Sequence, residues 1–204
     1  MLVGLVVLIA AVLLAPTFNE VHERSQQMWA TSYCRQIVIS LKGYASEHGG
    51  RYPKGANANE AFRELFKGGW LEDEAVFGCP KSPFVADEDI GKAPDFAKAL
   101  QPGENHWAMT KEITDETAGN CPLVFENPAV ASWPPQWDSS LVQVAKPGRV
   151  WAGQTIVIGR NDGSVGGEKI GAKGTGVLRT LQKNSKDVDL FEQVGPHEIL
   201  NVAR

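Results

Sequence analysis

From residue 2 to residue 16 the chain reads LVGLVVLIAAVLLAP, fifteen residues without a charge. A membrane-crossing helix needs about 20 such residues, so the run reads as a short anchor or as the core of a signal peptide. From Thr17 to His48 the pattern changes. There is no proline, the first glycine is Gly43, and Cys34, Ile37, Val38, Leu41, Ala45 and His48 recur at steps of three and four. That is the spacing of one helical face, with Arg35, Lys42 and Glu47 lying off it. One helix is therefore expected from the N-terminus to about residue 48, apolar first and amphipathic afterwards. The competing reading is a cleaved signal followed by a separate soluble helix. Gly49-Gly50 supplies a stop, because glycine takes the left-handed conformation that ends helices. Tyr52, ahead of Pro53, is pushed into extended geometry.

Beyond residue 50 the periods are shorter. NANEAFRELFKGGWL predicts a second helix, capped by Asn57 or Asn59, apolar at Ala61, Phe62, Leu65 and Phe66, and ended by Gly68-Gly69. EAVFGCPKSP (74–83) reads as an extended piece closing in a proline turn. Residues 84–105 read as a long surface loop with a helical turn at 95–100. NHWAMT (105–110) and CPLVFENP (121–128) predict strands. TIVIGRNDGSV (155–165) predicts a hairpin, since Asn161-Asp162-Gly163 offers the positive-φ positions of a tight turn. Val177 to Lys183 reads as a weak helix. The fold class is α+β: a long N-terminal helix packed on a small antiparallel sheet of three or four strands, with long loops. Residues 1–16 form the apolar segment, 17–50 the amphipathic half of the helix, and 51–204 a globular head.

Charge narrows the partners. With 20 basic and 24 acidic residues the net charge is −4, which argues against nucleic acid as a partner. Three cysteines without a C-x-x-C pair argue against a zinc ribbon or a thioredoxin-like site. Cys79 and Cys121 each precede a proline in loop-like sequence and are the expected disulfide; three reduced thiols are the alternative. The histidines, His22, His48, His106 and His197, have no metal-binding spacing. GRNDGS offers oxygens from Asn161, Asp162 and Ser164 but lacks the rest of a calcium loop, so a hairpin turn is the better reading. Asp187 and Asp189, one residue apart, are a second weak calcium candidate. No nucleophile or acid–base motif stands out, so no catalytic site and no cofactor is expected. Trp107, Trp133, Trp137 and Trp151 are expected mostly to fill the core, and otherwise to stack on glycans or a protein partner.

The order of these features resembles bacterial type IV pilin-like proteins, especially pseudopilins akin to the major pseudopilin of type II secretion. The matching pieces are the apolar N-terminus, SYCRQIVISLKGYASEHGGRYP, EAFRELFKGGWLEDEAVFGCPKSP, CPLVFENP and TIVIGRNDGSV. The resemblance implies a subunit held in the inner membrane by its N-terminal helix, handed to inner-membrane assembly machinery, and then self-associated into a homopolymeric periplasmic or extracellular filament. Leu2, Val3, Leu5, Val6, Val7, Leu8, Ile9, Val12, Leu13 and Leu14 would anchor and assemble it. Cys34, Ile37, Val38, Leu41 and Ala45 would pack the helix on the head. One departure is Gly4, which stands where the family carries a glutamate. The alternative is a membrane-tethered periplasmic or extracellular binding module that uses its tryptophan-rich loops.

Overall fold

The computed structural model describes residues 2–178 and 188–204, with side chains for 20–176 and 188–204. Helix α1 spans Leu2–Glu47. Its apolar stripe does what the spacing predicts: Cys34, Ile37, Val38, Leu41 and Ala45 are all fully buried, joined by Ala30. The stripe lies on the sheet so closely that one strand position must be glycine. A Cβ on Gly159 would come 2.5 Å from Val38 Cγ2 and 3.0 Å from Cys34 Sγ. The helix ends at Gly49 (φ +61) and Gly50 (φ +79), and the Gly50 N–H donates to the Ala45 carbonyl at 2.8 Å. His48 does not share the packed stripe. It is exposed, beyond the last helical turn, stacked on Tyr44 at 3.7 Å between ring centroids.

Helix α2 spans Ala58–Lys67. The Asn57 side chain accepts from Glu60 N at its start, and the Glu60 carboxylate reaches back to the Ala56 N–H at 2.8 Å. Ala61, Phe62, Leu65 and Phe66 are buried as expected. Residues 74–77 differ from expectation. They form a 3-10 turn, because the Asp73 carboxylate caps it by accepting from Ala75 N at 2.9 Å. The helical turn expected at 95–100 is replaced by irregular turns, with Phe96 (φ +43) and Leu100 (φ +53) in conformations no right-handed helix accommodates.

The sheet is wholly antiparallel and larger than the sequence suggests. Its strands are β1 Trp107–Thr110, β2 Pro122–Glu126, β3 Thr155–Arg160, β4 Val165–Ile170, β5 Gly176–Leu178, β6 Val188–Asp189 and β7 Ile199–Leu200, in the order β6-β5-β4-β3-β2-β1-β7. Strands β5, β6 and β7 have only two or three residues, too few to show a period in sequence. Val177 and Leu178, read as the start of a helix, pair with Lys169 on β4 and with β6 instead. The rest of that expected helix lies outside the described residues. The β3–β4 hairpin turns at Asn161-Asp162-Gly163 as predicted, with Ser164 N donating to Asp162 Oδ1 at 2.8 Å.

Alternation divides the strands between two cores. Trp107, Met109 and Val157 join α1 and α2 in one; Ala108, Ile156 and Ile158 face Trp137, Leu190 and Phe191 in the other. On β2, Leu123 and Val124 both join the helix side, where the register with β3 slips by one residue. Strand β7 closes one edge by pairing Leu200 with Met109 and Ile199 with Thr110. The chain then crosses to α2, where Ala58 N donates to the Asn201 carbonyl and Ala203 N to Asn59 Oδ1, each at 2.9 Å.

Candidate functional site

The first candidate is the outer face of α1. At 3.6 residues per turn, Val21, Met28 and Ile39 fall within roughly 20° of one another, opposite the packed stripe. They are 61%, 71% and 62% exposed, and Trp29 beside them is 59% exposed. They are spread over about 27 Å of helix, with exposed Ser25, Ser32 and Arg35 between them, so this face is mixed apolar and polar. The anchor positions Leu2, Val3, Leu5, Val6, Val7, Leu8, Ile9, Val12, Leu13 and Leu14 belong to the same helix, but their side chains lie outside the described residues. No helix among the described residues is long and apolar enough to cross a membrane.

The second candidate is a polar cluster sealed under the loop at Cys79. Glu126, at the end of β2, is 1% exposed. Its Oε1 accepts from Trp151 Nε1 at 2.9 Å, Arg149 Nη2 at 3.1 Å and His106 Nε2 at 3.3 Å, and its Oε2 accepts from Val157 N at 3.0 Å. Burial alone would raise this carboxyl; the Arg149 charge and the bonds from His106 and Val157 outweigh it and hold it below the ordinary value. Arg149 also donates from Nε to Lys81 O (3.0 Å) and from Nη2 to Pro80 O (2.9 Å), and lies 4.0 Å over the Trp151 ring. Burial lowers the pKa of His106, so it is neutral. The network fixes its tautomer: Nε2–H donates to Glu126, while Nδ1 accepts from Ser82 Oγ and Asn127 Nδ2, both at 2.8 Å.

Cysteine, histidine and glutamate come together here, but the cysteine and the histidine are not paired with each other. Cys79 Sγ lies 3.6 Å from Glu126 Oε1 and accepts from Arg149 Nη2 at 3.0 Å, but both ring nitrogens of His106 are engaged elsewhere. No imidazole therefore faces the thiol; the carboxylate that accepts from it, Glu126, is held below its ordinary value by Arg149 and is a weak base. Burial, with the Glu126 charge, pushes its pKa well above the ordinary value, which disfavours the thiolate. The ligand atoms of Cys79, His106 and Glu126 lie within 4.8 Å of one another. The guanidinium 3.0 Å from Cys79 and 3.1 Å from Glu126 already fills the cation's place, so this group does not fit a metal. What the cluster does is tie the loop at 79–82 to β2 and β3.

Other expected sites come apart. Cys79 and Cys121 form no disulfide; both are free thiols, as is Cys34. Cys79 meets Glu126, at the far end of β2 from Cys121, and five residues of strand span about 16 Å, far beyond disulfide reach. Of the weak calcium candidates, Asp162 caps the hairpin turn. Asp189 accepts from Phe191 N, Glu192 N and Thr175 Oγ1. Asp187 lies outside the described residues. The structure does not gather Asp162 and Asp189 into one ligand set among the described residues. A different acidic group, Glu74, Asp87 and Glu104, does converge. Trp107, Trp137 and Trp151 are buried, leaving Trp133 partly exposed.

The Glu126 cluster escaped sequence reasoning. Its signal was a charge closing the apolar run LVFE and an arginine inside GRVW, both out of keeping with buried strand sequence. No protein-family model, curated protein or solved structure matches this chain.

Proposed function

We propose that this chain is a non-catalytic structural subunit, pilin-like in plan, that assembles through α1 into a pilus or secretion pseudopilus. In this reading α1 holds the subunit in the inner membrane, where assembly machinery takes it up. The same helix then packs against its copies in a periplasmic or extracellular filament, and the head is displayed. The observation that carries the reading is the two-sidedness of α1. One face is consumed by the head, while Val21, Met28 and Ile39 stand exposed on the other. Burial of such a face between copies is favourable at about 25 cal/mol per Å² of apolar surface, and head-to-tail contacts that do not close generate filaments. The glycan- or protein-binding alternative loses most of its aromatic surface, because three of its four tryptophans are in the core.

Electron microscopy of shear fractions from cells making the full-length protein tests this. Filaments are expected from the unmodified chain and none from the double variant Met28→Glu, Ile39→Glu, with the two proteins equally folded by circular dichroism. Detergent-solubilised protein that is wholly monomeric, with nothing in the shear fraction, would sink the reading.

A further inference from the structure

Where the chain leaves α1, a cleft of about 720 Å³ opens between residues 51–55 and 111–114. An antiparallel bridge from Arg51 to Thr114 holds these two segments side by side. The floor is apolar: Tyr52, Ile113 and Leu200 are all buried there. The rim carries Arg51, Lys54 and Lys111 against one carboxylate, Glu112. Lys111 is taken by Glu198 at 2.5 Å. Arg51 and Lys54 make no ion pair among the described residues. Two uncommitted cations beside an apolar floor, on a chain of net charge −4, suit an acidic segment that also brings an apolar side chain.

The chain carries such a segment. Val85 is 70% exposed, and Asp87, Glu88 and Asp89 follow it, all exposed. Asp89 is paired with Lys98. The Asp87 carboxylate instead lies within 4.8 Å of those of Glu74 and Glu104, and no salt bridge among the described residues neutralises any of the three. Bonds from Val85 N to Gly103 O (2.9 Å) and from Glu88 N to Glu74 Oε2 (3.0 Å) fix this segment to its own head, facing outward.

We infer that residues 85–89 of a second copy seat in this cleft, Val85 over Tyr52, Ile113 and Leu200, and Asp87 and Glu88 against Arg51 and Lys54. The contact rests on the assembly reading and adds to it an interface outside α1. Uncompensated charge on each surface is neutralised by the other, which fixes register and excludes like-charged neighbours.

The test mixes isotopically heavy and light copies of the full-length protein and treats them with a carbodiimide, which joins lysine amines to carboxylates at zero length. Mass spectrometry is expected to find Lys54 joined to Asp87 or Glu88 in heavy–light pairs. The yield should fall about tenfold in Arg51→Glu, the effect of roughly one lost charge contact. Links confined to single copies, or an unchanged yield in Arg51→Glu, overturn the inference. Filaments that lack the Lys54 link overturn it while leaving the assembly reading intact. Linked copies that never polymerise uphold the contact and remove the assembly reading.

Discussion

Glu126 shows how one residue can hold several segments in place. It meets the loop at Cys79, the end of β1 through His106, and β3 through Val157. Its energetic role is best stated by what its loss would leave behind. Glu126→Gln strands the Arg149 guanidinium, 1% exposed, without its counter-charge. Breaking one side of such a pair costs about 3–5 kcal/mol, to be read as a lower urea midpoint at neutral pH. Acid should act on the same residues. The Glu126 carboxyl titrates lower when folded. Its contribution is therefore complete above the ordinary glutamate value of about 4.3 and is lost as pH falls through the folded value. His106 works in the same direction from a higher pH. Its folded pKa is lowered, so below about 6.5 the unfolded chain binds a proton that the folded chain refuses. Unfolding midpoints are expected to decline first below about pH 6.5, and His106→Gln to remove that first decline. Glu74 and Glu104, whose carboxyls burial raises, act in the opposite direction within the carboxylate range, so the contrary result is a first decline that His106→Gln leaves unchanged.

The faces of α1 make opposite predictions at the scale of the element. Leu41→Ala empties a fully buried position and is expected to cost about 2–5 kcal/mol in urea unfolding. Met28→Glu, on the open face, should stay within about 0.5 kcal/mol of the parent. The buried face was legible because a helix repeats every 3.6 residues and the sequence keeps that repeat from Cys34 to Ala45. The β3–β4 hairpin was legible for a similar reason, since its turn residues stand next to one another. What could not be read depended on distance. Arg149 reaches Glu126 across 23 residues and His106 across 20, and nothing local records such meetings. The turn at 74–77 was hidden differently: its apolar residues suit a strand equally well, and only the Asp73 cap decides. His48 kept the helical spacing but fell one position short of the glycine that ends the rod, so its ring turned outward.

At the scale of the whole molecule, the head holds together without cross-links. Its two cysteines, Cys79 and Cys121, are free, as is Cys34 on α1, and its two cores lie on opposite sides of one sheet. Dithiothreitol is therefore expected to leave the thermal unfolding midpoint unchanged, and a thiol count after denaturation to give all three. Strand β7 adds a constraint of another kind, on the order of events during synthesis. It covers the outer edge of β1 and hands the chain on to α2, yet it is made some ninety residues after β1 begins. At about 5–20 residues per second, the edge of β1 waits several seconds on the ribosome, unpaired and open to any other strand. The nascent head is most exposed to misassociation just before β7 emerges, which makes that interval the one a chaperone would have to guard.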